Sequence, residues 1–188
     1  MRRLAAIGLV TACVGGRSPA PGYSYPPARL ELRIAPQVPI KPPRIDPVVG
    51  RIADAGASDE VDAQCEIRLT NIYDRPLWVN GRLGITAPQP PGYGELVVKI
   101  EGSSGKIPFE CHDYAIAAKS KNYSILKPGD SLTQTCSLEC YSGFNVGETY
   151  TAIARYHDRN PNAPVSPPSA IHLATEIVSK PVQFAVVP

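Results

Sequence analysis

Apolar and polar side chains alternate along several short segments of this chain. An alternation with a period of two is typical of a strand that buries one face. The alternating apolar positions are Leu30, Leu32 and Ile34; Cys65, Ile67 and Leu69; Leu96, Val98 and Ile100; Leu132, Cys136 and Leu138; Tyr150, Ala152, Ala154 and Tyr156; and Val178, Val182, Phe184 and Val186. With a further strand expected over residues 76–83, the pattern predicts about seven to nine strands.

Turn-forming residues separate these segments. The chain contains 21 prolines and 15 glycines, and segments with a long helical periodicity are missing. In Lys127-Pro128-Gly129-Asp130, proline at the second position and glycine at the third predict a type II turn. Residues 71–75 are expected to turn, residues 36–47 and 53–62 to separate the first two strands, and residues 87–94 and 157–170 to form exposed loops. This organisation predicts an all-β fold, a two-sheet antiparallel sandwich.

Several short motifs resemble those of immunoglobulin-like sandwich domains in bacterial envelope proteins. They are Leu69-Thr70-Asn71, Arg75-Pro76-Leu77-Trp78-Val79, Leu126-Lys127-Pro128-Gly129-Asp130, residues 147–150 with Ala154-Arg155-Tyr156, and Ser179-Lys180-Pro181-Val182-Gln183-Phe184. Together they span about residues 65–187. The resemblance implies a fold and no catalytic residue. It also implies a tyrosine corner at Tyr150, for which simple core packing is the alternative.

The first 13 residues have the order of a secretory signal peptide. Arg2 and Arg3 precede an apolar run over residues 4–12, and small residues stand directly before Cys13. This order is typical of exported proteins. It resembles the bacterial lipoprotein signal, in which the cysteine is acylated and becomes the mature N-terminus. The resemblance implies lipidation of Cys13 and a membrane-anchored protein of the bacterial cell envelope, facing the periplasm or the exterior.

A membrane span and an ordinary N-terminal helix are the alternatives for this segment. Nine residues in a helix cover about 13 Å, which is less than half of a hydrocarbon core of about 30 Å. The length therefore excludes a span. A cytosolic protein that begins with an apolar helix remains the alternative to export.

Three parts are expected along the chain: a lipoprotein signal peptide over residues 1–12, a Pro/Gly-rich tether over residues 13–27 and a sandwich domain over residues 28–188. The tether has too few apolar side chains to form a core. In polyproline II form it would hold the domain off a membrane by up to about 3 Å per residue. A disordered terminus without a spacing role is the alternative.

The charge of the chain limits the classes of partner. The chain carries 19 basic and 17 acidic residues, and loss of Arg2 and Arg3 with the signal would leave a formally neutral protein. A neutral surface without a run of lysine and arginine gives no electrostatic reason to bind nucleic acid or anionic lipid. Membrane attachment is therefore expected to come from N-terminal acyl chains.

Four cysteines follow Cys13, namely Cys65, Cys111, Cys136 and Cys140. In an exported chain, an even number predicts two disulfides, with three connectivities open. On one straight strand Cys136 and Cys140 would lie about 13 Å apart, which is too far to bond. Separate partners among Cys65 and Cys111 are therefore favoured, whereas a helical turn would permit a local bridge between Cys136 and Cys140.

A metal site is the alternative use of these cysteines. Cys111 and His112 could supply ligands together with Cys136 and Cys140. Zinc sites usually draw their ligands from paired Cys-x2-Cys-like knuckles, and the chain has no such knuckle. No metal and no other cofactor is therefore expected.

The sequence contains no motif of a common catalytic class. The Gly-x-Ser-x-Gly elbow, the His-Glu-x-x-His motif and the phosphate-binding glycine loop are all missing. His112, His157 and His172 are far apart in the sequence. We therefore expect them to be exposed or packing histidines and not a catalytic set. Asp158 follows His157, but neighbours on a strand point to opposite faces. Trp78 has two interpretations, a core anchor and an exposed platform for a ligand.

We therefore expect a non-catalytic binding or structural module with an envelope protein as its partner. The expected contact residues lie in the two long loops, with Trp78 as a further candidate; they are Pro88, Pro90, Pro91 and Tyr93 in the first loop and Asn160 and Asn162 in the second. For the prolines, protection against association of strand edges is the alternative. The alternative functions are a protease-inhibitor-like module, which needs only a constrained loop, and a small envelope hydrolase.

Overall fold

The computed structural model describes residues 26–41, 61–85, 95–111, 122–158, 160 and 163–188. Within these ranges the chain forms twelve strands and a short 3₁₀ helix, Leu138–Cys140. In chain order the strands are β1 (Ala28–Ile34), β2 (Gln37–Pro39), β3 (Gln64–Asn71), β4 (Leu77–Asn80), β5 (Leu96–Gly102), β6 (Gly105–Lys106), β7 (Tyr123–Leu126), β8 (Ser131–Ser137), β9 (Thr149–Tyr156), β10 (Ile171–His172), β11 (Ile177–Val178) and β12 (Val182–Val187). The predicted all-β fold is confirmed. No helix in the described part of the chain is long and apolar enough to cross a bilayer.

The strands form three sheets. Sheet A has the order β1-β3-β8, with both pairings antiparallel. Sheet B has the order β2-β12-β9-β5-β6, and β11 also pairs with β9. Sheet C has the order β10-β4-β7, parallel between β10 and β4 and antiparallel between β4 and β7. Since β1 of sheet A contacts β9 and β12 of sheet B, these two sheets form the sandwich, and sheet C is a smaller addition.

Alternation along β9 supplies much of the core of sheet B. Tyr150, Ala152, Ala154 and Tyr156 are all fully buried, as their spacing predicts. Sheet A contributes Leu30, Leu32, Ile67 and Leu69 from β1 and β3. Val178 was expected to be buried on the same face as the alternate residues of β12. It lies instead in the separate two-residue strand β11 and is 45% exposed.

The chain passes from sheet A to sheet B within a few residues. After β1, the carbonyl of Pro36 accepts a 2.9 Å hydrogen bond from Ala185 N–H, and β2 then runs parallel to β12. We expected residues 36–47 only to separate strands, and the presence of β2 corrects that expectation. A strand of three residues, which follows one proline and ends on another, is too short to show a period of two.

Tyr150 joins the beginning of β9 to the turn before it. Its hydroxyl accepts a 2.7 Å hydrogen bond from the backbone N–H of Asn145 and donates at 2.9 Å to Glu148. The ring stacks on Phe184 at a centroid distance of 5.6 Å and meets Phe144 edge-on at 5.0 Å. A hydrogen bond between a tyrosine hydroxyl and the upstream backbone is what a tyrosine corner requires. Tyr150 therefore packs in the core and also accepts a bond from the turn before β9.

The turn over residues 127–130 has the predicted geometry. Gly129 has a φ of +83°, and Asp130 N–H donates to the carbonyl of Lys127 at 3.0 Å. A left-handed third residue is what a type II turn requires. The turn is also fixed to β3, because Gly129 N–H donates to the carbonyl of Asn71 at 2.9 Å.

The four described cysteines form two disulfides. Cys65 and Cys136 are opposite each other in β3 and β8 with a Cα–Cα distance of 5.0 Å, and Cys111 bonds Cys140 with a Cα–Cα distance of 4.9 Å. Cys136 and Cys140 thus have separate partners. The assumption of one straight strand was nevertheless wrong, because the 3₁₀ helix begins between them.

Candidate functional site

The described residues next to the two long loops lie side by side in sheet B. Leu96 begins β5 and lies opposite Tyr156, which ends β9. One residue further out, the N–H of His157 donates to the carbonyl of Glu95 at 2.9 Å. The loop of residues 87–94 ends directly before this point, and the loop of residues 157–170 begins there. The described residues that flank the two loops, Glu95 and His157, therefore meet at one end of sheet B.

Several residues that the sequence singles out lie outside the described part of the chain. They are Pro88, Pro90, Pro91 and Tyr93 in the first loop, Asn162 in the second, His112 and the lipidation candidate Cys13.

Glu95 ties the base of the first loop together. Its side chain is 1% exposed, and its carboxylate accepts hydrogen bonds from Asn80 Nδ2 at 2.7 Å, Arg82 Nη2 at 2.8 Å and the N–H of Gly84 at 2.8 Å. The carbonyl of Gly84 in turn accepts from Leu96 N–H at 3.0 Å. A buried carboxylate is tolerated when it is paired with a cation and hydrogen-bonded in this way. The two ends of the loop are therefore held close to each other.

Asp158 has the same role at the start of the second loop. Its side chain is 1% exposed, and the hydroxyl of Tyr123 lies 2.8 Å from Oδ2 and 3.0 Å from Oδ1. Nε2 of His172 lies 2.8 Å from Oδ2, and the N–H of Asn160 donates to Oδ1 at 3.2 Å. An ionised carboxylate can only accept, so Nε2 of His172 carries the hydrogen in this contact. We call these four residues the Asp158 network.

Burial and the neighbouring carboxylates keep two tyrosine hydroxyls of this end protonated. Burial, together with the hydrogen bond to Asp158, raises the pKa of Tyr123 to about 12. Burial also raises the pKa of Tyr156, with a further contribution from the charge of Asp158. The hydroxyl of Tyr156 accepts a 3.3 Å hydrogen bond from the backbone N–H of Asn80. At neutral pH the hydroxyl of Tyr123 therefore connects the start of the second loop to sheet C, and the hydroxyl of Tyr156 connects sheet B to sheet C.

Trp78 lies on the face of sheet C that the second loop covers. It is half-buried, and its ring stacks on Tyr123 at a centroid distance of 5.7 Å. Its indole N–H makes a long 3.4 Å hydrogen bond to the carbonyl of Pro164. The position of Trp78 thus combines the two interpretations of the sequence, because one part of the side chain is packed and another reaches solvent.

Two exposed aliphatic side chains are linked to Trp78 through the backbone, one across the β4–β7 pair and one through the carbonyl that its indole bonds. Ile125 is its cross-strand neighbour on β7 and is 43% exposed, and Val165, directly after Pro164, is 93% exposed. We call Trp78, Ile125, Pro164 and Val165 the Trp78 surface. It is an apolar surface on a rigid base, since the Asp158 network holds the ring that Trp78 stacks on.

Some of these residues could be singled out from the sequence, and others could not. Asn160, a predicted contact residue, is 8% exposed and donates to the hydroxyl of Tyr123 at 3.1 Å. Asp158 was considered only beside His157, whereas its histidine neighbour in the fold is His172. No spacing pattern joins residues from β7, β10 and the second loop, so the sequence held no signal for this network.

The three cysteines that the metal alternative required are all in disulfides, Cys111 with Cys140 and Cys136 with Cys65. Within the described ranges, no group of three or more histidine, cysteine and carboxylate side chains is arranged to hold a metal ion. No protein-family model matches the chain, and no curated protein is significantly similar to it.

Proposed function

We propose that this chain is a lipid-anchored protein of the bacterial cell envelope whose sandwich domain binds an envelope protein through its Trp78 surface, without catalysis. The observation that carries the binding proposal is the combination of a fixed base and exposed apolar side chains at one end of the domain. The proposal of a lipid anchor rests on the order of residues 1–13 in the sequence.

Rigid support favours binding because less conformational entropy is lost when a partner docks. Trp78 is restrained by Tyr123 and Pro164, and Tyr123 is itself held by Asp158. Aromatic side chains with one packed and one accessible part are common anchors of protein interfaces. The arrangement therefore supports a contact in which Trp78 is central and Val165 is peripheral.

The immunoglobulin-like interpretation belongs to the same proposal. The first strand pairs in one sheet and continues as β2 in the other, and Tyr150 makes a corner bond at the start of β9. Both features support a sandwich of this type. In such sandwiches, the loops at one end are a frequent site of binding.

Site-specific photo-crosslinking in cells tests the contact surface. A photoreactive residue at Val165 is expected to give a defined adduct with an envelope protein, and Trp78→Ala is expected to reduce its yield severalfold. The matched control is the same residue at Val146, which is 50% exposed and precedes the opposite end of β9. Equal adducts from both positions, or no effect of Trp78→Ala, would contradict the proposal.

Metabolic labelling with palmitate tests the anchor separately. The natural chain is expected to incorporate the label and to remain with membranes, whereas Cys13→Ala is expected to lose both properties. Unchanged processing and localisation of Cys13→Ala would rule out lipidation at this residue.

A further inference from the structure

The outer edge of β1 borders an open groove on the sandwich. The cavity is about 510 Å³ and is lined by β1, Ile72 and the segment from Ile177 to Val182. Two of the five exposed large apolar side chains in the described part of the chain, Ile72 at 51% and Val178 at 45%, lie in this groove. β1 pairs with β3 on one side and with no further described strand on the other. An edge strand beside an apolar groove is a template for an added strand.

The register of sheet A shows which backbone groups face the groove. Ile72 N–H donates to the carbonyl of Pro27 at 3.2 Å, and these residues are opposite when the pairing of β1 with β3 is extended by one position. In an antiparallel pair, backbone groups of alternate residues point to the same neighbour. Odd-numbered residues of β1 therefore bond β3, and the even-numbered residues direct N–H and C=O groups into the groove.

The side chains on the outer face of β1 carry alternating charges. Arg29 is 58% exposed, Glu31 is 34% exposed and Arg33 is 64% exposed. Because the charges alternate, β1 is complementary in charge to an antiparallel copy of itself, provided that the two-fold axis between the copies passes through a suitable residue. A two-fold axis at Leu30 places Arg29 of each copy opposite Glu31 of the other. An axis at Glu31 would instead place Glu31 opposite itself and Arg29 opposite Arg33, which is unfavourable.

We propose that β1 is a homodimerisation strand, which pairs antiparallel with β1 of a second copy of this chain about an axis at Leu30. The axis at Leu30 matches the extent of the groove along the strand. The lining residues are Ala28 to Arg33 within β1 and Pro26 just before it, so they lie on both sides of Leu30. This axis also pairs the backbone groups that face the groove. Leu30 is an even-numbered residue, so its N–H and C=O can both bond the C=O and N–H of Leu30 in the second copy. Val178, which lines the groove, would be covered by the added strand. This interface is separate from the Trp78 surface, so the two proposals can fail independently.

Sedimentation velocity on the full chain with exchanged charges tests the proposal. All variants carry Cys13→Ala so that acylation cannot drive association, and concentrations run from about 5 to 200 µM, the range in which a micromolar Kd is measurable. The parent is expected to form a dimer. Glu31→Arg, which sets arginines opposite each other twice, is expected to weaken the dimer at least about tenfold. The matched control is Glu101→Arg at an exposed position of β5, which should leave the affinity unchanged.

Two double exchanges identify the axis. Arg29→Glu with Glu31→Arg restores opposite charges about Leu30 and is expected to bring the affinity back to within about threefold of the parent. Glu31→Arg with Arg33→Glu restores opposite charges only about an axis at Leu32, so the dimer of this variant should stay weak. A parent that is monomeric throughout, a dimer indifferent to Glu31→Arg, or rescue by the second exchange alone would overturn the proposal. Circular dichroism on each variant shows whether the fold is intact, and a misfolded exchange is replaced by the milder Glu31→Gln, for which an affinity equal to the parent's would also overturn it.

Discussion

Nε2 of His172 lies 2.8 Å from Oδ2 of Asp158, although the two residues are 14 positions apart in the chain. Asp158 follows the end of β9, and His172 is the last residue of β10. The contact therefore fixes both ends of the second loop at one buried carboxylate. Tyr123 bonds the same carboxylate from β7, so the loop is attached to sheet C at its beginning and at its end.

Asp158→Ala is expected to destabilise the domain by about 2 to 4 kcal/mol, because the buried hydroxyl of Tyr123 and the N–H of Asn160 would lose their acceptor. Urea denaturation followed by fluorescence of Trp78 measures the loss. The matched control is Asp74→Ala at an exposed position, which should change the stability by less than about 0.5 kcal/mol. Equal stability of the two variants would show that the network contributes nothing.

Glu148 gives the stability of the domain a defined dependence on pH. Hydrogen bonds from Ser103, then from Asn145 and Tyr150, lower its pKa from 4.5 to about 2. A folded-state pKa below the unfolded value stabilises the fold above the unfolded pKa. The stabilisation is fully present above about pH 5 and is lost as the pH falls from 4.5 to 2.

Thermal unfolding between about pH 2 and 7 checks this dependence. The natural chain is expected to be more stable than Glu148→Gln at neutral pH, and the difference should shrink as the pH falls through the window. Ser103→Ala, which removes the 2.6 Å bond from the hydroxyl, should raise the pKa of Glu148 in an NMR titration. A difference that grows on acidification would contradict the prediction.

The two disulfides are expected to contribute unequally. The disulfide Cys65–Cys136 joins residues 71 positions apart, whereas Cys111–Cys140 joins residues 29 positions apart. Chain entropy then favours the first bridge by about 1 kcal/mol, within a total of about 2 to 5 kcal/mol for each. Denaturation of the two paired alanine variants measures the order, and non-reducing peptide mapping checks the pairing. A larger loss on removal of Cys111–Cys140 would reverse the prediction.

Gly129→Ala should cost about 1 to 2 kcal/mol, because the residue has a left-handed backbone. A Cβ at this position would meet no atom within 4 Å, so the cost is conformational and not steric. Gly129→Asn is the matched variant, and it should lose less, since asparagine tolerates this conformation better. Calorimetry measures both, and unchanged stability of Gly129→Ala would contradict the left-handed turn.

Long alternating segments could be predicted from the sequence because burial alternates in them without interruption. β9 is the clearest case, with Tyr150 to Tyr156 buried at every second position. β7 was missed because its burial runs buried, exposed, exposed, buried, and a four-residue strand with that pattern has no period. β10 has only two residues and was hidden at the end of a long loop.

The candidate site could be predicted only in part. Trp78 and the second loop were marked by residue type and by proline content, which are local properties. The hydrogen bonds of Asp158 reach Tyr123 across 35 positions and His172 across 14. Contacts of this kind depend on how the sheets pack, and no local pattern encodes them.

The passage of the chain from β1 to β2 has a mechanical consequence. Tension that reaches the domain through Pro26 acts first on β1, whose seven residues are all paired with β3. If those pairs separate, the next segment, β2, is still bonded to β12 in the opposite sheet. The pull is thus resisted in two successive stages, first in sheet A and then in sheet B.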